Sequence, residues 1–156
     1  VLCYGELTFT ELIKDSEIIA NNGISGPSGW LQGGHTESGG NIELQNLGDP
    51  EGKLTEVEIS ISPWHKAALM QLTRKMIQLK KNPLTNAAEI EILNERIAAC
   101  ESELDNALNE FLQRPPEDKL KIRVTQDVFP PVNLRILKNE YIIKDKKPSL
   151  EIIEID

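Results

Sequence analysis

The residue best suited to catalysis is His35, which lies in the glycine-flanked segment Gly-Gly-His-Thr-Glu-Ser-Gly-Gly. A histidine titrates near neutral pH, so His35 could act as the general base of a solenoid, hexapeptide-like acyltransferase. No CoA-binding feature accompanies it, and the strict hexapeptide pattern of small residues is kept irregularly. We therefore expect His35 to be a solvated turn residue, and acyl transfer is the alternative function.

Residues that could bind a metal are few and poorly spaced. A metal pair of His35 and His65 would need a contact in the fold that the sequence does not show. Cys3 and Cys100 form neither a disulfide framework nor a zinc spacing, and Cys100 is predicted to be a small buried apolar residue. The glycine-rich stretch lacks the Gly-Lys-Ser/Thr ending of a phosphate loop. We expect no metal and no cofactor.

Carboxylates recur through the first third of the chain. Glu37, Glu43, Asp49 and Glu51 could lie on one face, but the Gly-Gly-x-Gly-x-Asp spacing of repeated calcium sites is absent. A hydrated acidic surface is therefore expected. The candidate acidic interaction face comprises Glu37, Glu43, Glu56 and Glu58.

The formal net charge of −8, from 25 acidic and 17 basic side chains, arises in the segment 1–62. That segment has ten acids but only Lys14 and Lys53 as cations. Nucleic acids and anionic membranes reward clustered lysine and arginine, so other proteins are the expected partners. Without a transmembrane-length apolar run or a secretion signal, the chain is predicted to be cytoplasmic.

Residues 63–116 are predicted to form an antiparallel helical hairpin. Pro63 is typical of a helix start, Pro83 interrupts the pattern, Thr85 or Asn86 can cap the second helix, and Pro115 stops it. Apolar residues alternate at spacings of three and four, which is typical of a coiled-coil seam. The predicted seam comprises Leu69, Leu72, Met76, Leu79, Ile90, Leu93, Ile97, Cys100, Leu104 and Phe111.

Residues 1–62 show a rhythm of hexads instead. The recurring positions are Ile18, Ile24, Trp30, Thr36 and Ile42, continuing loosely through Leu47 and Leu54. Nine of the ten glycines lie between Gly23 and Gly52, where they can form the corners between short strands. One inward side chain per strand and three strands per turn describe a parallel β-helix.

Residues 117–156 return to the alternation of apolar and polar side chains that is typical of β-strands. This alternation runs from Leu120 to Val124 and from Val132 to Ile136, and residues 127–131 are predicted to form a turn. These short strands are expected to complete or cap the β-helix.

Several segments follow one another in a distinctive order. They are Ser16-Glu17-Ile18-Ile19-Ala20, Gly33-Gly34, Leu47-Gly48, Thr55-Glu56-Val57-Glu58-Ile59 leading into Pro63, and the run Val-Phe-Pro-Pro-Val-Asn-Leu-Arg-Ile from Val128 to Ile136. Together they span nearly the whole chain, and their order resembles the C-terminal region of the flagellar assembly protein A (FapA) family. Family members usually have Tyr-Pro-Gly-Val where this chain has Phe129-Pro130-Pro131-Val132.

The resemblance implies a mainly β fold with α-helices. It is a right-handed single-stranded parallel β-helix, interrupted by an antiparallel coiled-coil helical hairpin and closed by short C-terminal β-strands. The resemblance also implies a non-enzymatic scaffold or protein-interaction domain of a cytoplasmic bacterial protein, involved in flagellar assembly or polar localisation. Its partners would be flagellar assembly or localisation factors, without nucleic acid or membrane insertion. An exposed end of the solenoid could also stack on a second copy, as in a homo-oligomer.

Overall fold

The computed structural model describes residues 1–155 and divides the chain into two compact units. One unit contains Val1–Pro63 and the chain from Pro115 onward, and the other contains Trp64–Arg114. The strands are β1 (Leu2–Cys3), β2 (Glu6–Thr8), β3 (Leu12–Ala20), β4 (Gly23–Ser38), β5 (Ile42–Gly48), β6 (Thr55–Ile59), β7 (Lys121–Val124), β8 (Val128–Phe129), β9 (Val132–Ile136), β10 (Asn139–Ile143) and β11 (Leu150–Ile153). The helices are α1 (Pro63–Leu79) and α2 (Ala87–Gln113).

The strands of the first unit are arranged in three ladders. The first ladder joins β2, the start of β4, the start of β5, and β7. The second joins residues 12–14, residues 30–31, residues 46–47 and β8, and the third joins β1, residues 16–20, residues 34–38, β6 and β9. All these pairs are parallel. The long strands β3 and β4 each contribute to more than one ladder.

Each turn of the chain through the three ladders is called a rung here, and neighbouring rungs are separated by three hexads of sequence. Ile18 lies opposite Thr36, and Ile24 lies opposite Ile42, so each residue of the rhythm pairs with the third one after it. One hexad therefore corresponds to one ladder, and three hexads complete a rung. These four side chains are all buried, as the rhythm predicted.

Two members of the predicted rhythm depart from it. Trp30 is only half-buried, and its neighbour Leu31 occupies the core. The register between β4 and β5 shifts between Gly26 and Trp30, so the inward position moves to the next residue. Leu54 is 43% exposed because it precedes β6 in a segment without strand pairing.

Stacked aliphatic side chains form the core of this unit. One column of the first ladder contains Ile24, Ile42, Ile122 and Ile152, all buried. Burying each such side chain contributes roughly 1.5–3 kcal/mol relative to leaving it in water. Ile24 and Ile42 precede the inserted helices in the sequence, and Ile122 and Ile152 follow them. Two distant parts of the chain therefore share one core.

The last two strands reverse direction. β10 pairs antiparallel with β9, β11 pairs antiparallel with β7, and an antiparallel bridge joins Val128 to Lys147. The returning chain therefore adds one layer to each of the three ladders. The predicted turn at residues 127–131 is wrong in part, because it contains β8. The side-chain oxygen of Asn46 accepts a hydrogen bond from the backbone N–H of Asp127 at 3.0 Å and holds this segment in the ladder.

The second unit consists of α1 and α2 with a short connection. The Cys100 thiol donates a hydrogen bond to the His65 carbonyl at 3.3 Å, while Leu79 at the other end of α1 lines a groove with Leu93 of α2. The two helices therefore run in opposite directions. Asn86 occupies the N-cap position of α2, but its side chain donates to the Leu79 carbonyl instead of capping α2. Among residues 1–155, no helix has both the length and the apolarity needed to cross a membrane.

The seam residues are among the least exposed side chains of the two helices. Met76 and Leu93 are buried, and the other eight are half-buried. In contrast, Met70, Ile77 and Ile92 are more than half exposed. The burial follows the alternation of three and four along each helix, and a coiled-coil supercoil stays a prediction.

Candidate functional site

The outer surface of the third ladder collects most of the predicted acidic face. One outward column contains Glu17, His35, Glu56 and Asn133. A neighbouring column contains Glu37, Glu58, Arg135 and Glu140. Alternation along a strand points these residues away from the core, while Thr36 and Val57 between them point inward. We call these eight residues the acidic ladder.

His35 lies beside a carboxylate in this ladder. Its Nδ1 atom is 3.6 Å from Oε2 of Glu56, and about a third of the His35 side chain is exposed. This distance is longer than a direct hydrogen bond, and the pair attracts electrostatically when the imidazole is protonated. The two residues line a cleft of about 50 Å³ with Glu58, Asn133 and Arg135. Small-molecule sites usually measure about 300–1,000 Å³, so this cleft suits contact with a surface side chain better than enclosure of a substrate.

Two further acids of the ladder have partners within it or beside it. Arg135 Nη2 lies 3.0 Å from Oε2 of Glu58, and the Glu58 side chain is only 18% exposed. The Ser60 hydroxyl donates to Glu37 Oε1. These contacts fix the orientation of both carboxylates, which reduces the side-chain entropy lost when a partner binds.

The prediction that Glu43 belongs to the same face is wrong. Glu43 lies in the first ladder, opposite Arg123, which also lies 3.8 Å from Glu151. The rhythm of hexads does not distinguish the three ladders. Glu37 and Glu43 are one hexad apart, so they point outward from different ladders.

Asp49 belongs to a turn instead of the acidic ladder. Its Oδ1 accepts hydrogen bonds from the Glu51 backbone N–H at 2.8 Å and from Gln32 Nε2 at 2.9 Å. The Glu51 N–H is the main reason that the pKa of Asp49 lies below its usual value, with smaller contributions from Gln32, Lys14 and Lys53. Burial of the carboxylate opposes this shift without overcoming it.

The other residues considered for chemistry, His65 and Cys100, pack within the helical hairpin. His65 is buried in the hairpin and packs edge-on against Trp64, with ring centroids 5.0 Å apart. His35 belongs to the other unit. Burial is the largest cause of the raised pKa of Cys100, and Glu101 and Glu103 add to it. A raised pKa lowers the thiolate fraction at neutral pH, so Cys100 has the properties of an unreactive thiol.

The sequence did not identify an aromatic cluster on the second ladder. Trp30 stacks on Phe129 with centroids 5.5 Å apart, and its Nε1 donates to the Gly48 carbonyl at 2.8 Å. Lys146 lies 4.9 Å from the Phe129 ring centroid and 3.9 Å from Asp127. The cluster depends on the pairing of β5 with β8 across the inserted helices, and such a distant pairing leaves no local pattern in the sequence.

Arg135, Asn133 and Glu140 were likewise not predicted as members of the acidic ladder. Their positions follow from the alignment of β9 with β6 and of β10 with β9. In the sequence, only the similar alternation of residues 55–59 and residues 132–136 hints at this alignment.

One of three comparisons with known proteins agrees with this architecture. No curated protein matches the chain, and no solved structure matches it. The model of one protein family, described as the Flagellar Assembly Protein A beta solenoid domain, matches residues 1–156. Because this match covers the whole chain, the three-ladder unit with its inserted helices belongs to the FapA family.

Proposed function

We propose that this domain is a non-enzymatic scaffold that binds other proteins during flagellar assembly or polar localisation in the bacterial cytoplasm. The observation that supports this role most strongly is the family match over residues 1–156. Its partners would be flagellar assembly or localisation factors, recognised through surface side chains without a cofactor.

We infer a finer description of the fold as part of this proposal. The first unit is a right-handed single-stranded parallel β-helix, and the inserted hairpin is an antiparallel coiled coil. The repeat of three hexads between rungs supports the first statement, and the burial of the seam residues supports the second. Handedness is taken from the family resemblance.

A scaffold of this kind combines a rigid core with exposed charged side chains. Stacked aliphatic columns such as Ile24, Ile42 and Ile122 hold the rungs in register. The acidic ladder is then displayed on a surface that changes little on binding, which favours affinity. Its carboxylates favour a partner with exposed lysine or arginine, and opposite charge also accelerates encounter.

The acidic ladder can be tested in a flagellated bacterium whose own gene for the protein is replaced. The double variant E37K/E56K reverses two charges of the ladder, and it should reduce the number or polar placement of flagella at normal protein levels. The matched control E103K/E110K reverses two exposed charges of α2, which belongs to the other unit. Normal flagella in E37K/E56K would refute a role for this face.

The same strains separate the scaffold from the acyltransferase. The pairing of His35 with Glu56 is the one observation that favours catalysis. The variant H35A should retain flagellar function, and the purified protein should show no acyl-CoA turnover. Measurable turnover that H35A abolishes would establish the enzyme and overturn the scaffold proposal.

A further inference from the structure

The helix α1 and the connection after it carry positive charge only. Residues 63–88 contain five cations and no carboxylate. Among residues 1–155, no carboxylate oxygen lies within 4.0 Å of any of these five cations. Lys66 lies in the first turn of α1, where a positive charge opposes the helix dipole. The stability of α1 therefore does not account for this charge, which is available to a partner.

Three of the five cations alternate with exposed apolar side chains along one face of α1. This basic stripe comprises Lys66, Met70, Arg74, Ile77 and Lys81, all exposed. The helical turns continue past the end of α1, because the Lys81 N–H donates to the Gln78 carbonyl at 3.3 Å. At about 100° per residue, the stripe is centred about 140° around the helix from the seam. The basic stripe is therefore turned away from α2.

The third ladder contains a matching series of outward side chains. This acidic column comprises, in order along the ladder, Glu17, His35, Glu56, Asn133 and then Ile142 of β10. Glu17 is exposed, the Glu56 side chain is 47% exposed, and Ile142 is 57% exposed. In the described part of the chain, no lysine or arginine nitrogen lies within 4.0 Å of the Glu17 or Glu56 carboxylate. The acidic column therefore offers two carboxylates and one exposed apolar side chain.

The basic stripe and the acidic column agree in the spacing of their charges. At about 1.5 Å per residue, Arg74 lies about 12 Å along α1 from Lys66. At about 4.8 Å per strand, Glu56 lies about 10 Å along the column from Glu17. With α1 laid along the column and Lys66 opposite Glu17, Arg74 is thus level with Glu56 to within about 2 Å. The long side chains of lysine and arginine can span such a difference.

The apolar side chains agree in the same alignment. Ile77 lies about 17 Å along α1 from the first cation of the stripe. Ile142 lies about 19 Å along the column from its first carboxylate, so the two isoleucines are level to within about 3 Å. Met70 falls level with His35 in the same way. One placement of the helix therefore matches two charges and two apolar side chains of the stripe.

We propose that the basic stripe of one copy of this chain lies along the acidic column of a second copy. Lys66 and Arg74 then pair with Glu17 and Glu56 of the second copy, and Ile77 packs on Ile142. A second copy fits because the chain itself supplies both surfaces, with charged and apolar side chains in the same order. The two surfaces differ, so the contact is heterologous and joins copies head to tail. This proposal rests on the binding role proposed above for the acidic ladder, and it names a partner for that face.

Sedimentation of the purified full chain over a range of protein concentrations tests the proposal at low and at high salt. The mean mass of the wild type should rise with protein concentration, and association should weaken in high salt as the charges are screened. K66E/R74E should weaken association at least ten-fold, and so should E17K/E56K, because like charges then face each other in either variant. Mixed in equal amounts, the two variants should associate again, since each reversed surface meets its opposite.

The matched control K75E/K121E changes the net charge as much as K66E/R74E does. Lys75 lines the groove between the helices and Lys121 lies in the first ladder, so this control should associate like the wild type. Circular dichroism checks that every variant keeps its fold. A wild type that stays monomeric at all concentrations overturns the proposal, as does a mixture of the two variants that stays monomeric. Equal weakening by K75E/K121E and K66E/R74E would also overturn it.

The flagellar role is tested separately, in cells, with E37K/E56K. A monomeric wild type combined with defective flagella in E37K/E56K would overturn self-association and leave the proposed function intact. Self-association combined with normal flagella in E37K/E56K would refute the flagellar role of the face and leave the contact between copies intact.

Discussion

Two buried threonines of the third ladder differ in a single hydrogen bond. Thr36 and Thr55 are both fully buried, but only the Thr55 hydroxyl has a partner, the Gly33 backbone N–H at 2.8 Å. Among residues 1–155, the Thr36 hydroxyl has none. A buried polar group without a hydrogen bond destabilises the folded state because it has lost its water.

We predict that T36V and T55V shift stability in opposite directions. T36V removes an unsatisfied hydroxyl between Ile18 and Val57, so the free energy of unfolding should rise by about 1 kcal/mol. T55V leaves the Gly33 N–H without its acceptor, so the free energy of unfolding should fall by about 1–3 kcal/mol. Urea denaturation measures both changes. A loss of stability in T36V would show that its hydroxyl has a partner in solution.

Asp49 should make the protein sensitive to acid. Its pKa is lowered in the folded state, chiefly by the Glu51 N–H. The stabilisation is therefore fully present above the unfolded value of about 3.9, and it is lost as the pH falls through the lower folded value. D49N should be less stable than the wild type at pH 7, and the difference should shrink in acid. The free energies of unfolding of D49N and the wild type are compared between pH 7 and pH 3. A difference that stays constant over this range would contradict this assignment.

At the scale of elements, glycines determine how closely successive rungs approach. Gly48 ends β5 with a φ of +96°, and an added Cβ would collide with the Phe129 carbonyl oxygen of the neighbouring rung. Gly52 also has a positive φ, +86°, but an added Cβ there would meet open space. At both positions any residue other than glycine would be strained, and the two positions differ in the room available for a side chain.

We predict that G48A destabilises the protein more than G52A does. G52A should cost about 1–2 kcal/mol, the usual cost of placing a side chain in the left-handed region. G48A adds displacement of β8, so its cost should exceed that of G52A and the stacking of Trp30 on Phe129 should change. Thermal unfolding and tryptophan fluorescence measure these effects. Equal destabilisation by the two variants would show that the contact with Phe129 is relieved easily.

At the scale of the whole molecule, the first unit is assembled from two parts of the chain. Ile42 pairs with Ile122 and Thr55 with Val132, across the inserted helices. The side-chain oxygen of Asn41 also accepts a hydrogen bond from the Lys121 N–H at 2.9 Å. These contacts lie entirely within the first unit.

We predict that the first unit folds without the hairpin. Replacing residues 64–114 by a flexible linker should preserve the β-sheet signal in circular dichroism and a cooperative urea transition, because the core columns are unchanged. The slope of that transition should fall, since less surface is exposed on unfolding. Loss of the β-sheet signal would mean that the hairpin is needed to bring the two parts together.

The sequence alone was sufficient for periodicities, because these are local properties of the backbone. Hexads revealed the buried residues Ile18, Ile24 and Ile42, and the alternation of three and four revealed the seam from Leu69 to Phe111. These patterns arise because a strand or helix must present its apolar side chains to one core. The excess of acidic side chains in the segment 1–62 was equally evident.

Only the tertiary structure decided which outward residues become neighbours. Glu58 contacts Arg135, which follows the hairpin in the sequence. Glu43 does not lie on the predicted face, because a separation of one hexad places a residue in the next ladder. Trp30 points outward because of a register shift, and it stacks on Phe129, which follows the hairpin in the sequence. Strand register depends on the summed packing and hydrogen bonds of all rungs, and no local stretch of sequence contains that sum.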